Sequence, residues 1–139
     1  MEIYSFGLVC AAATFLNIWI GHVSVRAIER RSERLWQPMA VFALAGVFAL
    51  ASSLNATGNN QAVLGITGFM LLWDSFEFYR QQKRIRIGHA PANPANPRHQ
   101  RILEEFANAT TVDLLDRSIR GRQYSEDEIA TILKEESTK

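Results

Sequence analysis

The chain has 139 residues with 15 basic and 14 acidic side chains, so its net charge of about +1 excludes the strongly charged classes whose partners are set by bulk electrostatics. A hydrophobic fraction of 47% and a mean hydropathy of −0.06 resemble an ordinary soluble domain, but they average two unlike halves: residues up to about 80 are membrane-like, and the rest are strongly charged with no spanning apolar run. The single cysteine, Cys10, excludes an intramolecular disulfide and suggests no thiol-ligated metal site.

Two stretches, Ile3 to Val25 and Leu35 to Trp73, carry no Asp, Glu, Lys or Arg, and the polar run from Asn55 to Gln61 splits the second. Three apolar segments of roughly 20 residues result, the length an α-helix needs to cross hydrocarbon. Spans are predicted at about 3–27, 36–54 and 62–79. The first is expected to stay uncleaved rather than act as a signal peptide: its start carries Glu2, its apolar run is long, and its arginines follow it. Arg26, Arg30, Arg31 and Arg34 stand between spans one and two, and Arg80, Lys83, Arg84 and Arg86 follow span three. The positive-inside rule therefore predicts an outer N-terminus and a cytoplasmic C-terminal region in a bacterial inner membrane, the basic residues touching anionic headgroups. Trp36 and Tyr79 suit the inner interfacial belt.

Helix association in lipid relies on small residues and interhelical hydrogen bonds. Ala13, Asn17, Gly21 and Ser24 share a face of span one, span two is rich in alanine around Gly46, and span three offers Gly65 and Gly68. These residues are expected to pack the three helices together rather than drive self-association.

His22, Asp74 and Glu77 are expected in the inner half of the spans, with Arg26 one turn beyond His22. Two carboxylates three residues apart share a helix face, within reach of one cation from span one. Such a cluster reads either as a proton or cation site, or as a register-setting network pairing Arg26 with Glu77 and His22 with Asp74.

The string from Ala13 to Glu29, ATFLNIWIGHVSVRAIE, together with LGITGF from Leu64, LWDSFE from Leu72, QKRIRIG from Gln82 and the pair Asn93-Pro94, resembles a family of small three-helix bacterial inner-membrane proteins known only as a domain of unknown function. The likeness runs over roughly residues 5–97. It implies the three-span architecture, points to His22, Glu29, Trp73 and Glu77, and implies no activity. The family's usual His-Pro is His22-Val23 here, which removes a kink.

Residues 81–97 form a basic linker with a proline every third position from Pro91 to Pro97, expected to be an extended spacer. Residues 98–139 are expected to form a cytoplasmic two-helix hairpin. Asn96-Pro97 suits a helix start, Ile102, Leu103, Phe106, Ala107, Leu114 and Leu115 fall on one side of a helix ended by Gly121, and Ser125 to Glu128 caps a second helix carrying Ile129, Ile132 and Leu133. The hairpin resembles short bacterial C-terminal oligomerisation modules, so Ile102, Phe106, Leu114, Leu115, Ile129, Ile132 and Leu133 are its expected partner-binding residues.

The expected fold is an all-α integral membrane bundle of three spans, 1–80, with this hairpin. No phosphate loop, nucleophile triad, metal-ligand cluster or dinucleotide fingerprint occurs, so neither catalysis nor a metal or cofactor is predicted, and no nucleic-acid partner. The leading expectation is an accessory or scaffold subunit that binds other membrane-complex subunits or its own copies. The alternative is an oligomeric proton or cation transporter using the inner polar cluster.

Overall fold

The computed structural model describes residues 5–113. Among them lie four helices and no strand: α1 (Phe6–Arg31), α2 (Trp36–Ser53), α3 (Gly58–Arg86) and α4 (Pro97–Glu105). By length and composition α1 and α2 could each cross a membrane. α3 falls short of that test, its apolar stretch being interrupted at Asp74 and Glu77 and opening on Asn59, Asn60 and Gln61, so two of the three expected spans meet it among the described residues.

α3 is nonetheless the central helix. Both α1 and α2 pack along it, with little contact between the two. Asn17 meets Thr67 and Gly21 meets Asp74, so α1 and α3 run in the same direction. Gly46 meets Gly68 and Ser75 Oγ donates to Met39 O at 2.8 Å, so α2 runs the opposite way. The ends of α1 and α3 and the start of α2 therefore lie together.

Backbone proximity sets the α2–α3 seam. A Cβ on Gly46 would lie 2.8 Å from Gly68 O, and one on Gly68 would lie 2.8 Å from the Leu50 nitrogen, so both positions need glycine for the helices to approach. Phe78, fully buried, stacks edge-on against Phe42 at 5.1 Å and fills the seam one end further on. Nothing lies within 4 Å of a Cβ on Gly65, so that glycine supports no close helix contact in this chain. Ala13 is buried, and Asn17 Nδ2 donates to Ala13 O at 2.8 Å and to Thr67 Oγ1 at 3.2 Å. The outward faces are apolar, with Leu8, Phe15, Leu44, Phe48 and Phe69 all exposed.

α3 continues past its apolar part to Arg86 and ends in a Schellman turn. His89 N–H donates to Arg84 O at 2.8 Å and Gly88 N–H to Ile85 O at 3.1 Å, with Gly88 at φ 77°. Gly88 also packs against Asn108 O, so a side chain there would meet both a strained backbone and a backbone atom.

Residues 90–96 are not a free spacer. Ala90 and Ala92 are buried with Ile85 and Ile102, Leu103, Phe106 and Ala109 pack around them, and Ala92 N–H donates to Thr110 O at 2.8 Å. Asn96 Oδ1 accepts from Arg98 N–H at 2.9 Å and caps α4, with Pro97 in the first turn. α4 then stops at Glu105, a correction to the longer helix expected, because Phe106 is extended (φ −117°, ψ 110°) and the following residues fold back on Gly88 and Ala92. Leu114, Leu115, Ile129, Ile132 and Leu133, and with them the second helix of the hairpin, lie outside the described residues.

Gly68→Ala should cost about 1–3 kcal/mol by overpacking the α2–α3 seam, while Gly65→Ala should stay within about 0.5 kcal/mol of wild type. Thermal unfolding of the two variants in one detergent measures the difference, and equal midpoints would show that the seam is not closely packed.

Candidate functional site

Two polar assemblies occupy the shared end of α1 and α3. The first is centred on Glu77, whose carboxylate is nearly buried (5% exposed). Its Oε1 lies 2.7 Å from Arg84 Nη1 and its Oε2 lies 3.7 Å from Arg80 Nε. The counterions thus come from α3 itself, one and two turns on, and not from Arg26 on α1 as the expected Arg26–Glu77 pairing had it. The physical reason is reach, since residues three and seven positions beyond Glu77 share its helix face. Arg84 Nη1 also donates to Gln81 Oε1 at 3.1 Å. Arg80 additionally sits 5.9 Å over the Trp73 ring.

Asp74, one turn before Glu77, is buried against Gly21, whose missing side chain makes the room. It makes no hydrogen bond among the described residues. His22 and Arg26 are exposed and line, with Val25, Glu77, Gln81, Arg84, His89 and Ala90, a cavity of about 330 Å³ between α1 and the end of α3.

The second assembly closes the end of α1. A helix leaves its last carbonyls without partners, and here residues 93–98 supply them. Asn93 Nδ2 donates to Arg30 O at 3.0 Å, and Asn96 Nδ2 donates to Arg30 O at 3.2 Å and Ser32 O at 3.1 Å. Arg98 donates through Nε to Ser32 O at 3.0 Å and through Nη2 to Glu29 O at 2.8 Å. A guanidinium at this position also complements the negative end of the helix dipole.

Glu29 is the centre of that assembly. Its side chain is 1% exposed and its Oε1 accepts from Arg98 Nη2 at 2.7 Å and from His99 Nε2 at 3.2 Å. His99 is fully buried, and its Nδ1 accepts the Asn93 N–H at 2.8 Å. That bond assigns the ring proton to Nε2, so Arg98 and His99 are two donors on one oxygen and their own 3.0 Å approach is a shared acceptor, not a bond. Glu29 Oε2 and Arg98 Nη1 are buried without hydrogen-bond partners among the described residues, so charge neutralisation, more than full hydrogen bonding, holds Glu29 in place.

Sequence reasoning reached Glu29 only through its family likeness and did not connect it to Arg98 or His99. The local signal was present in part, since Asn96-Pro97-Arg98-His99 begins a helix, but nothing local indicates a partner 69 residues earlier. Of the expected partner-binding residues, Ile102 is buried in the Ile85–Ala92 cluster and Phe106 lies under Arg86, 5.1 Å from its guanidinium. Arg30, Arg31, Arg34, Arg80 and Lys83 are exposed at the same end of the molecule. Among the described residues no three His, Cys, Asp or Glu side chains are grouped so as to hold a metal ion.

A family model described as a domain of unknown function (DUF4491) matches residues 4–96. It includes His22, Glu29, Trp73, Asp74 and Glu77 and ends just before Arg98 and His99, so Glu29 lies inside the matched region and its two charged or ring partners lie beyond it. No curated protein and no solved structure matches the chain.

Arg98→Ala should cost about 3–5 kcal/mol locally by leaving the Glu29 carboxylate buried without its cation. Hydrogen exchange at the Asn93 amide, whose acceptor His99 Nδ1 this assembly holds in place, should accelerate accordingly. Arg98→Lys should recover only part of the protection, since an ammonium cannot reach Ser32 and Glu29 with a planar fork. Wild-type exchange in Arg98→Ala would mean that the ion pair does not fasten the segment.

Proposed function

The chain belongs to the DUF4491 family, and from its geometry we propose that it is a small accessory or scaffold subunit of a larger membrane complex in a bacterial inner membrane. In this reading α3 is the third span, the N-terminus is outside, and residues from about 80 onward are cytoplasmic. Support for a third span comes from the antiparallel then parallel packing of α1, α2 and α3 and from the outward apolar residues Phe69, Trp73 and Phe76. The polar side chains Asp74, Glu77 and Gln81 are turned away from that surface and buried. The basic loop around Arg30 to Arg34 and the basic end of α3 lie at one end of the bundle, consistent with a single cytoplasmic face.

One observation carries the scaffold reading: segment 88–110 is fastened to the ends of α1 and α3 through Glu29, Arg98, His99, Asn93 and Asn96 instead of hanging from a flexible tether. Burying charge to fix an orientation suits a part that must present a cytoplasmic surface at a set position relative to its spans. A partner then gains affinity because the surface it binds is already ordered.

A second reading, an oligomeric proton or cation conductor, is favoured by a different feature. Asp74 is buried without a hydrogen bond on the α1 side of α3, one turn from Glu77 and next to His22, an arrangement that ion paths also use. Three helices enclose no pathway, so this reading needs several copies.

Extraction of the full chain from its native membrane in mild detergent, followed by mass determination of the intact assembly, tests the two readings. Other proteins in fixed ratio are the expected result, and recovery of this chain alone would overturn the scaffold reading. Full proton or cation flux in an Asp74→Asn, Glu77→Gln double variant would overturn the conductor. Topology has its own check: a cysteine replacing Asn59 in a Cys10→Ser background should react with an impermeant maleimide from outside intact cells, and one replacing Gln100 should not.

A further inference from the structure

The cavity of about 330 Å³ between α1 and the end of α3 has a lining whose unengaged side chains are richer in donors than in acceptors. Its side-chain oxygens are engaged. Both Glu77 oxygens face guanidiniums, Arg84 at 2.7 Å and Arg80 at 3.7 Å, and Gln81 Oε1 accepts from Arg84 at 3.1 Å. What remains is the Gln81 amide nitrogen, the Arg26 guanidinium, which has no ion-pair or hydrogen-bond partner among the described residues, and the rings of His22 and His89, likewise without hydrogen bonds there. Asp74 is turned against Gly21 beside His22 and is not part of the lining, so the Arg26, Gln81 and His89 donors are the ones it does not face. Arg26 and Arg84 are the cationic side chains of the lining and Glu77 is its one carboxylate, an excess of positive charge at a half-enclosed site.

We infer that this cavity binds a phosphoryl group, supplied by the headgroup of an anionic lipid or by a free phosphate compound. The occupant must be anionic and rich in acceptors, because the side chains offer donors and net positive charge. The donors come from three parts of the chain: His22 and Arg26 from α1, Gln81 from α3, and His89 from the turn after Gly88. Donors arriving from separate directions suit a tetrahedral oxyanion better than a flat carboxylate, and guanidinium is well matched to phosphate. Val25 and Ala90 give the cavity an apolar side that accommodates the carbon attached to the phosphoryl group. The segment fastened by Glu29 and Arg98 carries His89 and Ala90, so the site is completed by the turn that follows α3 and is not a diffuse basic collar. This inference does not depend on the scaffold reading, since occupancy is measured on the chain by itself.

The test uses the full chain in nanodiscs. In phosphatidylcholine discs inorganic phosphate is titrated, and in a second set phosphatidylglycerol is added to the disc and its retention on the protein is counted by native mass spectrometry. The imidazole NMR signals of His22 and His89 report locally in both. Binding in either arm that shifts those signals and weakens about tenfold in Arg26→Gln and in His89→Gln, but less than twofold in Arg31→Gln, is the expected result. The arm in which it occurs identifies the source: phosphatidylglycerol alone means a lipid headgroup, and phosphate in neutral discs means a free compound. Arg26 and His89 are exposed and unbonded, so both variants should fold, which the unchanged amide exchange of Ala92 checks. Absence of binding in both arms, or equal weakening by Arg31→Gln and Arg26→Gln, would overturn the assignment.

Discussion

Burial of the Glu29 carboxylate is the constraint on which the described part of the chain depends. A carboxylate that is 1% exposed is costly unless a cation reaches it, and the cation that does so, Arg98, belongs to a helix that would otherwise have little reason to sit beneath α1. Meeting that requirement brings Asn93 and Asn96 onto the open carbonyls of Arg30 and Ser32, His99 into a fully buried position, and Ile102 against Ile85. Hydrophobic contact follows from the ion pair as much as it supports it, because the cluster of Ile85, Ala90, Ala92 and Ile102 is too small to hold a nine-residue helix by itself.

The order of the three long helices has the same logic. The most polar of them, α3, lies in the middle, and α1 and α2 cover it from two sides. In a soluble protein a helix carrying Asp74, Glu77 and Gln81 would turn those residues outward. Here they are buried and Phe69, Trp73 and Phe76 are exposed. That inversion is what an apolar surrounding favours, because a carboxylate needs a protein partner there and a phenyl ring does not. Glycines permit it: Gly21 admits the Asp74 carboxylate, and Gly46 and Gly68 let two backbones meet.

At the shared end of α1 and α3 the cavity and the fastened segment are consequences of one another. α3 overruns its apolar part by about two turns, the Schellman turn at Gly88 reverses the chain, and the return path closes one side of the gap between α1 and α3. A half-enclosed cavity that brings Arg26 and Arg84 to the side of Glu77 is the result.

Much of this was legible in the residue order. Charge-free stretches, the polar run from Asn55 to Gln61, the glycines at 46 and 68 and the Asn96-Pro97 start are short-range signals, and they establish the helical class and approximately where α1, α2, α3 and α4 begin. They act within a few residues, so the chain carries them without reference to its partners. Tertiary structure alone decided which counterion each buried carboxylate received: Arg84 and Arg80 for Glu77 where Arg26 was expected, and Arg98 for Glu29 across 69 residues. It also decided where α4 stops and that residues 90–96 fold inward. Spacing along a chain states which residues share a helix face, but the pairing of charges follows from which faces are brought together, and that is set by the sum of contacts over the whole assembly.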